Sequence, residues 1–151
     1  MEYVQGERKD EDCIFCLAAE PGDDEARYVL YRGERCFAML NAFPYNNGHL
    51  MVAPRRHVAL LEDLDDGEAL ELMQLAQRAL RALRDEYGPD GFNLGVNLGT
   101  IAGAGFADHV HLHVVPRWAA DNNFMAVTAD TRVLPQALAD SYRALAARFA
   151  P

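Results

Sequence analysis

The stretch of sequence that says most about the fold is Asp108-His109-Val110-His111-Leu112-His113-Val114-Val115-Pro116. Polar and apolar residues alternate along it, which is typical of a strand with one buried face. Because side chains alternate across a strand, His109, His111 and His113 share one face and the aliphatic residues share the other. Neighbouring imidazoles in this row would lie about 6.6 Å apart. Three of the five histidines of the chain stand here, so we expect a chemical role in preference to an incidental His-rich surface strand.

The row of histidines has two chemical interpretations. Two imidazoles two residues apart on a strand can bind a catalytic metal, or one imidazole can act as a nucleophile that its neighbours orient. All three cannot comfortably reach one ion, because metal–nitrogen bonds are only about 2.0–2.1 Å long. Gly99, Gly103 and Gly105 precede the row, and backbone N–H groups in such a loop can face an anion. Glycines of this kind are often only turn formers, so both interpretations stay open.

The remaining sequence predicts an α+β fold. One long helix over about residues 66–87 is predicted by apolar residues that recur at spacings of three and four, namely Leu72, Leu75, Ala76, Ala79, Leu80 and Leu83. The other predicted elements are strands over residues 27–31, 35–40, 49–53, 92–98 and 109–115 and a C-terminal helix over residues 136–149. This order of elements favours a mainly antiparallel sheet of about five strands over a doubly wound parallel fold.

Length and charge narrow the class of protein. The 151 residues suit a single domain, 1–151, in which the charged and aperiodic residues 1–12 form a loose arm. The chain has 23 acidic and 14 basic residues, a net charge of −9, which argues against sequence-independent nucleic-acid binding. It has no apolar run of the roughly 20 residues that cross a membrane, and its polar start lacks a secretory signal. We therefore expect a cytoplasmic protein without nucleic-acid or membrane partners.

The chain contains three cysteines, of which Cys13 and Cys16 form a C-x-x-C pair. This spacing is typical of zinc ligands, but a complete tetrahedral site needs two more ligands. A redox pair and two incidental thiols are the alternatives. Cys36 stands alone on an apolar strand, and we expect it to be part of the core.

The histidine row resembles the His-φ-His-φ-His-φ-φ signature of the histidine triad superfamily of nucleotide hydrolases and transferases, where φ is an apolar residue. Residues 41–57 are similar to the nucleoside-binding strand and loop of that family, and residues 93–105 are similar to its phosphate loop. The resemblance covers about residues 13–118. Similarity to the branch that includes diadenosine tetraphosphate phosphorylases is found in residues 115–118, 122–125 and 131–135.

The resemblance implies a covalent nucleotidyl-histidine mechanism. The middle histidine, His111, would attack the α-phosphorus of a nucleoside 5′-phosphate derivative, and water or phosphate would then break the P–N bond. This requires a neutral imidazole whose Nδ1–H is held by a backbone carbonyl, so that the Nε2 lone pair is available. The substrate-binding positions implied by the resemblance are His113 and Asn97 at the phosphate, Asn41 at the ribose and His49 as a further site histidine.

Two further positions bear on the substrate and the reaction. Gly105 stands where many family members carry Gln, Ser or Thr beside the scissile phosphate, so its lack of a side chain leaves both hydrolysis and phosphorolysis open. Trp118 can stack on a base as part of the substrate site, or it can be an ordinary core or interface residue.

The resemblance also implies a metal site and an oligomer. Many family members hold a structural zinc with the C-x-x-C pair, the histidine that follows a Pro-x-x run and the first histidine of the triad. The corresponding residues here are Cys13, Cys16, His57 and His109. In such a site His109 would bind the metal and take no part in catalysis, which would leave His111 as the nucleophile. No organic cofactor is expected, and the family suggests a homodimer.

We therefore expect an enzyme that cleaves a dinucleoside polyphosphate, such as diadenosine tetraphosphate, through a covalent nucleotidyl-histidine intermediate. A nucleoside phosphoramidate hydrolase with the same mechanism is one alternative. A nucleotide-binding sensor with little turnover is another, and it would form no adduct on His111. A zinc hydrolase with His109 and His111 as ligands is a third, and chelators would abolish its activity directly.

Overall fold

The computed structural model describes residues 12–121 and 136–151 of the chain. The strands in these residues are β1 (Val29–Arg32), β2 (Cys36–Leu40), β3 (Leu50–Pro54), β4 (Gly91–Val96) and β5 (Leu112–Arg117). They form one sheet in the order β1-β2-β3-β5-β4, and every neighbouring pair is antiparallel. The prediction of an α+β fold with a mainly antiparallel sheet of about five strands is confirmed.

The helices of the described residues are α1 (Ile14–Ala19), α2 (Asp24–Arg27), α3 (Asp66–Tyr87) and α4 (Leu138–Phe149). Single 3-10 turns lie at Leu61–Asp63 and Thr100–Ala102. Within the described part of the chain, no helix is both long enough and apolar enough to cross a membrane.

The long helix α3 has the bounds that its leucine spacing predicts, and local hydrogen bonds explain both ends. Asp65 accepts the backbone N–H of Glu68 at 2.8 Å, and Glu68 accepts the backbone N–H of Asp65 at 3.0 Å, so the two residues form a capping box. At the other end Gly88 takes up a left-handed conformation with φ 56°, which residues with a side chain adopt only at a cost.

Both faces of the sheet are covered. On one face α3 packs against β2, β3 and β5, and α4 packs against α3 and the edge strand β1. The buried side chains on this face include Leu40, Leu50, Val52, Leu112 and Val114. On the other face Phe15 of α1 joins a smaller apolar cluster with Val29, Phe37, Met39, Met51 and Ala53. His113 of β5 is directly opposite Met51 of β3, so its side chain lies on the α1 face. The histidine row is therefore on the side of the sheet that α3 does not cover.

Some element boundaries differ from the predictions. β5 begins at Leu112, because residues 109–111 leave the ladder and Val110 donates its N–H to Val58 O at 2.7 Å. β1 begins at Val29, since Arg27 ends α2 and Tyr28 turns the chain with a left-handed φ of 58°. The other predicted strands and the C-terminal helix differ by one or two residues at their ends. The sequence pattern predicts neither α1 nor α2, because helices of six and four residues are too short to show a helical period.

Two regions named in the sequence analysis fall largely outside the described residues. Of the predicted N-terminal arm, only Asp12 is described, and it is exposed. The similarities at residues 122–125 and 131–135 lie in the part of the chain that is not described.

A substitution at Leu83 tests how much the packing of α3 contributes to the free energy of unfolding. Its side chain is 0% exposed in the core between α3 and the sheet, so Leu83→Ala removes buried methyl groups and leaves a cavity. We expect the free energy of unfolding, measured by urea denaturation, to fall by about 2–5 kcal/mol. Leu70→Ala on the same helix is the control, because Leu70 is 60% exposed and should change that free energy by less than about 0.5 kcal/mol. Equal losses in the two variants would contradict the packing assigned to α3.

Candidate functional site

The three histidines of the row lie next to one another on the α1 face of the sheet. His109 and His111 are buried, and His113 is half-buried. The ring centroids of His111 and His113 are 4.8 Å apart. Phe15 of α1 contacts the other pair, with its ring centroid 5.2 Å from His109 and 4.5 Å from His111. The shared face that the alternating pattern predicts is thus present, although residues 109–111 are not part of β5.

The tautomer of His111 is set by its own backbone. Its Nδ1 lies 2.8 Å from the carbonyl oxygen of His109, and a carbonyl oxygen can only accept, so the proton is on Nδ1 and the Nε2 lone pair is available. Burial lowers the pKa of His111 below its ordinary value, and the hydrogen bond to His109 opposes that shift only in part. At neutral pH the ring is therefore an uncharged imidazole with a basic, nucleophilic nitrogen.

A second chain of hydrogen bonds sets the tautomer of His113. The backbone N–H of Tyr45 donates to His49 Nδ1 at 3.1 Å, so a neutral His49 carries its proton on Nε2. That Nε2–H donates to His113 Nδ1 at 2.9 Å. The remaining proton of His113 is consequently on its Nε2. Burial, followed by the neighbouring His111, lowers the pKa of His113 to about 4, so this ring is a neutral N–H donor at pH 7.

Asn41 lies beside this chain, at the end of β2. Its backbone N–H donates to the carbonyl oxygen of His49 at 2.9 Å, and its side-chain Oδ1 accepts the backbone N–H of Phe43 at 2.8 Å. Its Nδ2 is 3.5 Å from His49 Nε2. The structure therefore brings Asn41, His49, His111 and His113 together, as the sequence analysis expects of one site.

The predicted phosphate loop follows β4. Gly99 and Gly103 have φ angles of 83° and 92°, a region that favours glycine, so these two positions serve the turn itself. Asn97 is half-buried, and a Cβ added at Gly103 would lie 4.0 Å from its Nδ2. Gly105 is different, because its φ is outside that region and a Cβ built on it meets nothing within 4 Å. The absence of a side chain at 105 is thus a chemical feature of the loop and is not imposed by crowding.

Trp118 follows β5 directly and is half-buried. Its backbone N–H donates to Asp121 Oδ2 at 3.2 Å. The structure places the residue at the carboxyl end of the strand that carries His113, and a stacking role for its ring stays a prediction.

The four predicted metal ligands, Cys13, Cys16, His57 and His109, lie together, with one ligand atom from each within 4.8 Å of the others. The distances between ligand atoms are 3.4 Å for Cys13 Sγ to His109 Nδ1, 3.7 Å for Cys16 Sγ to His109 Nδ1 and 3.2 Å for Cys16 Sγ to His57 Nδ1. Tetrahedral zinc, with bonds of about 2.3 Å to sulfur and 2.0–2.1 Å to nitrogen, brings its ligand atoms about 3.3–3.8 Å from one another. The site thus has the donor set and the spacing that zinc requires.

His109 is also held in the tautomer that a metal requires. Its Nε2–H donates to the carbonyl oxygen of Pro54 at 2.8 Å, which leaves Nδ1 unprotonated and facing the two sulfurs. Metal-binding histidines commonly make this kind of hydrogen bond with their second nitrogen. The ring of His109 therefore faces the metal site, while its carbonyl oxygen holds His111.

Cys36 has no part in this site. It is 0% exposed in the core under α3 and donates its S–H to the carbonyl oxygen of Glu68 at 3.4 Å. Burial, with smaller effects of neighbouring carboxylates, raises the pKa of this thiol to about 12. Cys36 is therefore an unreactive core residue, as expected.

Sequence reasoning missed two residues that shape the site. Phe15 packs on both His109 and His111, and its place inside the C-x-x-C pair was the available signal. Tyr45 donates its N–H to His49 and stacks on its ring at 4.8 Å. Nothing in the local sequence indicates that contact, because a backbone N–H has no sequence signature.

Comparisons with known proteins agree with this geometry. The profile of the HIT domain matches residues 24–120. AP-4-A phosphorylase of Mycobacterium tuberculosis is 50% identical over 127 residues, which is 84% of this chain and 65% of that protein. Protein hit of Bacillus subtilis is 32% identical over 117 residues, which is 78% of this chain and 79% of that protein. The chain thus spans somewhat less than two thirds of the length of the tuberculosis relative.

A solved structure of the same family has a similar fold. A zinc-bound histidine triad family protein from Mycobacterium smegmatis superposes with a TM-score of 0.72 at 29% identity, over 93% of this chain and 94% of that one. The profile match extends over most of the chain, and the whole fold superposes on this family member. This chain belongs to the HIT domain family.

Proposed function

We propose that this protein cleaves a dinucleoside polyphosphate, such as diadenosine tetraphosphate, through a covalent nucleotidyl intermediate on His111. The observation that carries the proposal is the hydrogen bond from His111 Nδ1 to the carbonyl oxygen of His109 at 2.8 Å, which leaves a neutral Nε2 available for attack. The substrate class is supported by the name of the 50% identical relative, AP-4-A phosphorylase.

In the first step His111 Nε2 attacks the α-phosphorus, a P–N bond forms, and the bond from phosphorus to the bridging oxygen breaks. With diadenosine tetraphosphate the nucleoside triphosphate leaves as an anion that needs no proton at pH 7. The adduct carries a positive imidazolium, whose Nδ1–H still donates to the His109 carbonyl. His113 supplies its Nε2–H to a phosphate oxygen and stabilises the charge that develops there. Asn41 binds the ribose, and Asn97 binds a phosphate oxygen.

In the second step an oxygen nucleophile attacks phosphorus, and the P–N bond breaks with its electron pair returning to His111 Nε2. Water would have to lose a proton in this step, but His113 has no basic nitrogen to offer: its Nδ1 accepts from His49, and its Nε2 is protonated. Inorganic phosphate arrives already ionised and needs no base. We therefore infer that phosphate is the preferred acceptor. We also infer that the polar side chain which many family members carry at this position would assist attack by water, and Gly105 lacks it.

The same argument disfavours the phosphoramidate alternative. An amine leaving group must be protonated as it departs, which requires a general acid. A histidine whose pKa lies near 4 is uncharged at pH 7 and is a poor acid there. His113 thus suits a leaving group that departs as a stable anion.

We propose a structural zinc on Cys13, Cys16, His57 and His109, supported by their spacing and by the zinc-bound neighbour. The metal would join the start of α1 to the segment that holds His111. Four protein ligands leave no open position, so it would supply no chemistry to the substrate.

We also propose a homodimer of single-domain chains in the cytoplasm. Among the described strands β4 is an edge strand with β5 as its neighbour, and Leu94 on it is 42% exposed. An edge strand with an apolar side chain can pair with the same strand of a second copy. A thiolate pair that binds metal suits a reducing compartment.

His111→Ala removes the nucleophile and retains the rest of the pocket. We expect turnover of diadenosine tetraphosphate to fall by about three orders of magnitude or more, while binding of AMP changes little. Mass spectrometry after an alkaline quench should show a nucleotidyl adduct on the wild type and none on the variant. A variant that keeps more than about a tenth of the wild-type rate would exclude His111 as the nucleophile, and a wild type that binds nucleotide without turnover would indicate a sensor.

Product analysis with diadenosine tetraphosphate distinguishes phosphorolysis from hydrolysis. With inorganic phosphate we expect ADP and ATP, and without it little turnover. Gly105→Ser should fold normally, because the position has room for a Cβ, and it should release more AMP from water attack than the wild type. Equal amounts of AMP and ATP from the wild type without phosphate would show a hydrolase.

Metal content tests the zinc site. Protein purified without chelator should contain about one zinc per chain by elemental analysis, and the Cys13→Ser, Cys16→Ser double variant should contain almost none and melt at a lower temperature, because metal binding is coupled to folding. Cys36→Ala is the matched control and should keep its zinc. Metal-free wild type, or a double variant of unchanged stability, would make the two cysteines incidental thiols or a redox pair.

A further inference from the structure

Asp121 is a buried carboxylate beyond the end of β5 that the proposed chemistry does not use. Its side chain is 8% exposed. It accepts hydrogen bonds from Nε and Nη2 of Arg117, from the backbone N–H of Trp118 at 3.2 Å and from Asn46 Nδ2 at 2.9 Å. The Arg117 guanidinium holds the pKa of Asp121 well below its usual range, so the group stays ionised. An ionised acceptor with this many donors fixes the groups that bind it.

One of those donors, Asn46, belongs to the loop that precedes His49. Its Nδ2 donates to the carbonyl oxygen of Pro116 at 2.9 Å as well as to Asp121. Its own carbonyl oxygen accepts the backbone N–H of His49 at 3.1 Å. The Asn46 side chain therefore links this loop to the end of the strand that carries His113.

The same loop sets the tautomer of His49. Tyr45, the residue before Asn46, donates its backbone N–H to His49 Nδ1 at 3.1 Å. Each nitrogen of a neutral imidazole can hold the proton, and the hydrogen bond made by one nitrogen decides which of them does. Without the Tyr45 N–H, His49 would no longer be restricted to donating its Nε2–H to His113.

We propose that Asp121 is a positioning residue which, through Asn46, holds the Tyr45 N–H on His49 and so keeps the His113 proton on Nε2, facing the substrate phosphate. This role rests on the proposed function, in which His113 donates to a phosphate oxygen. Asp121 itself contacts no reacting atom.

Ring ¹⁵N spectra of the protein as purified report the tautomers directly. In the wild type we expect His49 and His113 each to be protonated at Nε2 alone. In Asp121→Ala and in Asn46→Ala we expect both rings to become mixtures of the two tautomers. Asp140→Asn is the matched control, because this carboxylate on α4 is 60% exposed, and it should leave the wild-type spectrum unchanged.

Turnover of diadenosine tetraphosphate with phosphate gives a second readout. We expect kcat of Asp121→Ala to fall by about threefold to tenfold, the factor that one misplaced hydrogen bond is worth, with a smaller change in KM. Because Asp121 acts through Asn46, which also donates to the Pro116 carbonyl oxygen, the double variant should lose no more than Asn46→Ala alone. In a His113→Ala protein, Asp121→Ala should have no further effect on kcat.

Two results would overturn the role. One is a wild-type ring spectrum in both variants, and the other is a double variant whose losses add, since additive losses indicate independent structural effects. If Asp121→Ala does not fold, Asp121→Asn, which keeps the volume and loses the charge, takes its place in every comparison. A wild type that forms neither adduct nor products would contradict the proposed function, and the ring spectra would still decide the role of Asp121.

Discussion

The hydrogen bond from His111 Nδ1 to the carbonyl oxygen of His109 is the interaction on which the rest of the site depends. It fixes the proton on one nitrogen and leaves the other as a lone pair, in a ring whose pKa burial keeps low. His109 can hold this position because its own ring is held by Pro54 and by the cysteine pair. The proposed zinc ligand His109 and the proposed nucleophile His111 thus lie at the two ends of one short segment. Because this segment leaves the β5 ladder, His109 can contact the Pro54–Val58 segment.

Burial serves two purposes in this molecule. Under α3 it supplies stability, because the face of the sheet there is filled by aliphatic side chains. On the α1 face it also tunes chemistry, because burial lowers the pKa of His111 and of His113 and so favours their uncharged forms. An uncharged row next to anionic phosphates attracts them less strongly than imidazolium would, but it provides the lone pair that a covalent step needs. The uncharged row therefore supports the proposed nucleophilic attack by His111 better than it supports a purely electrostatic role.

Sequence reasoning succeeded where the signal is local and periodic. The apolar spacing, together with the acidic cap and the terminal glycine, predicts a helix over about residues 66–87 that matches α3, since a 22-residue amphipathic helix repeats its period several times. It failed for α1 and α2, which are too short to show a period. The strand predicted over residues 109–115 was too long at its start, because the contact that removes residues 109–111 from the ladder comes from Val58, far away in sequence.

The sequence by itself determined the class of fold and the shared face of the three histidines, because alternation and helical spacing are visible along the chain. The choice of four candidate metal ligands came from the resemblance of its motifs to a family, since the C-x-x-C pair names only two of them. The tertiary structure alone decided which nitrogen of His109 and which nitrogen of His113 carries the proton. His109 takes its partner from Pro54 and His113 takes its partner from His49, and neither partner is near in sequence. Since an isolated imidazole can carry its proton on either nitrogen, those distant groups distinguish the proposed ligand His109 and the proposed donor His113 from the proposed nucleophile His111, whose partner is the nearby His109 carbonyl.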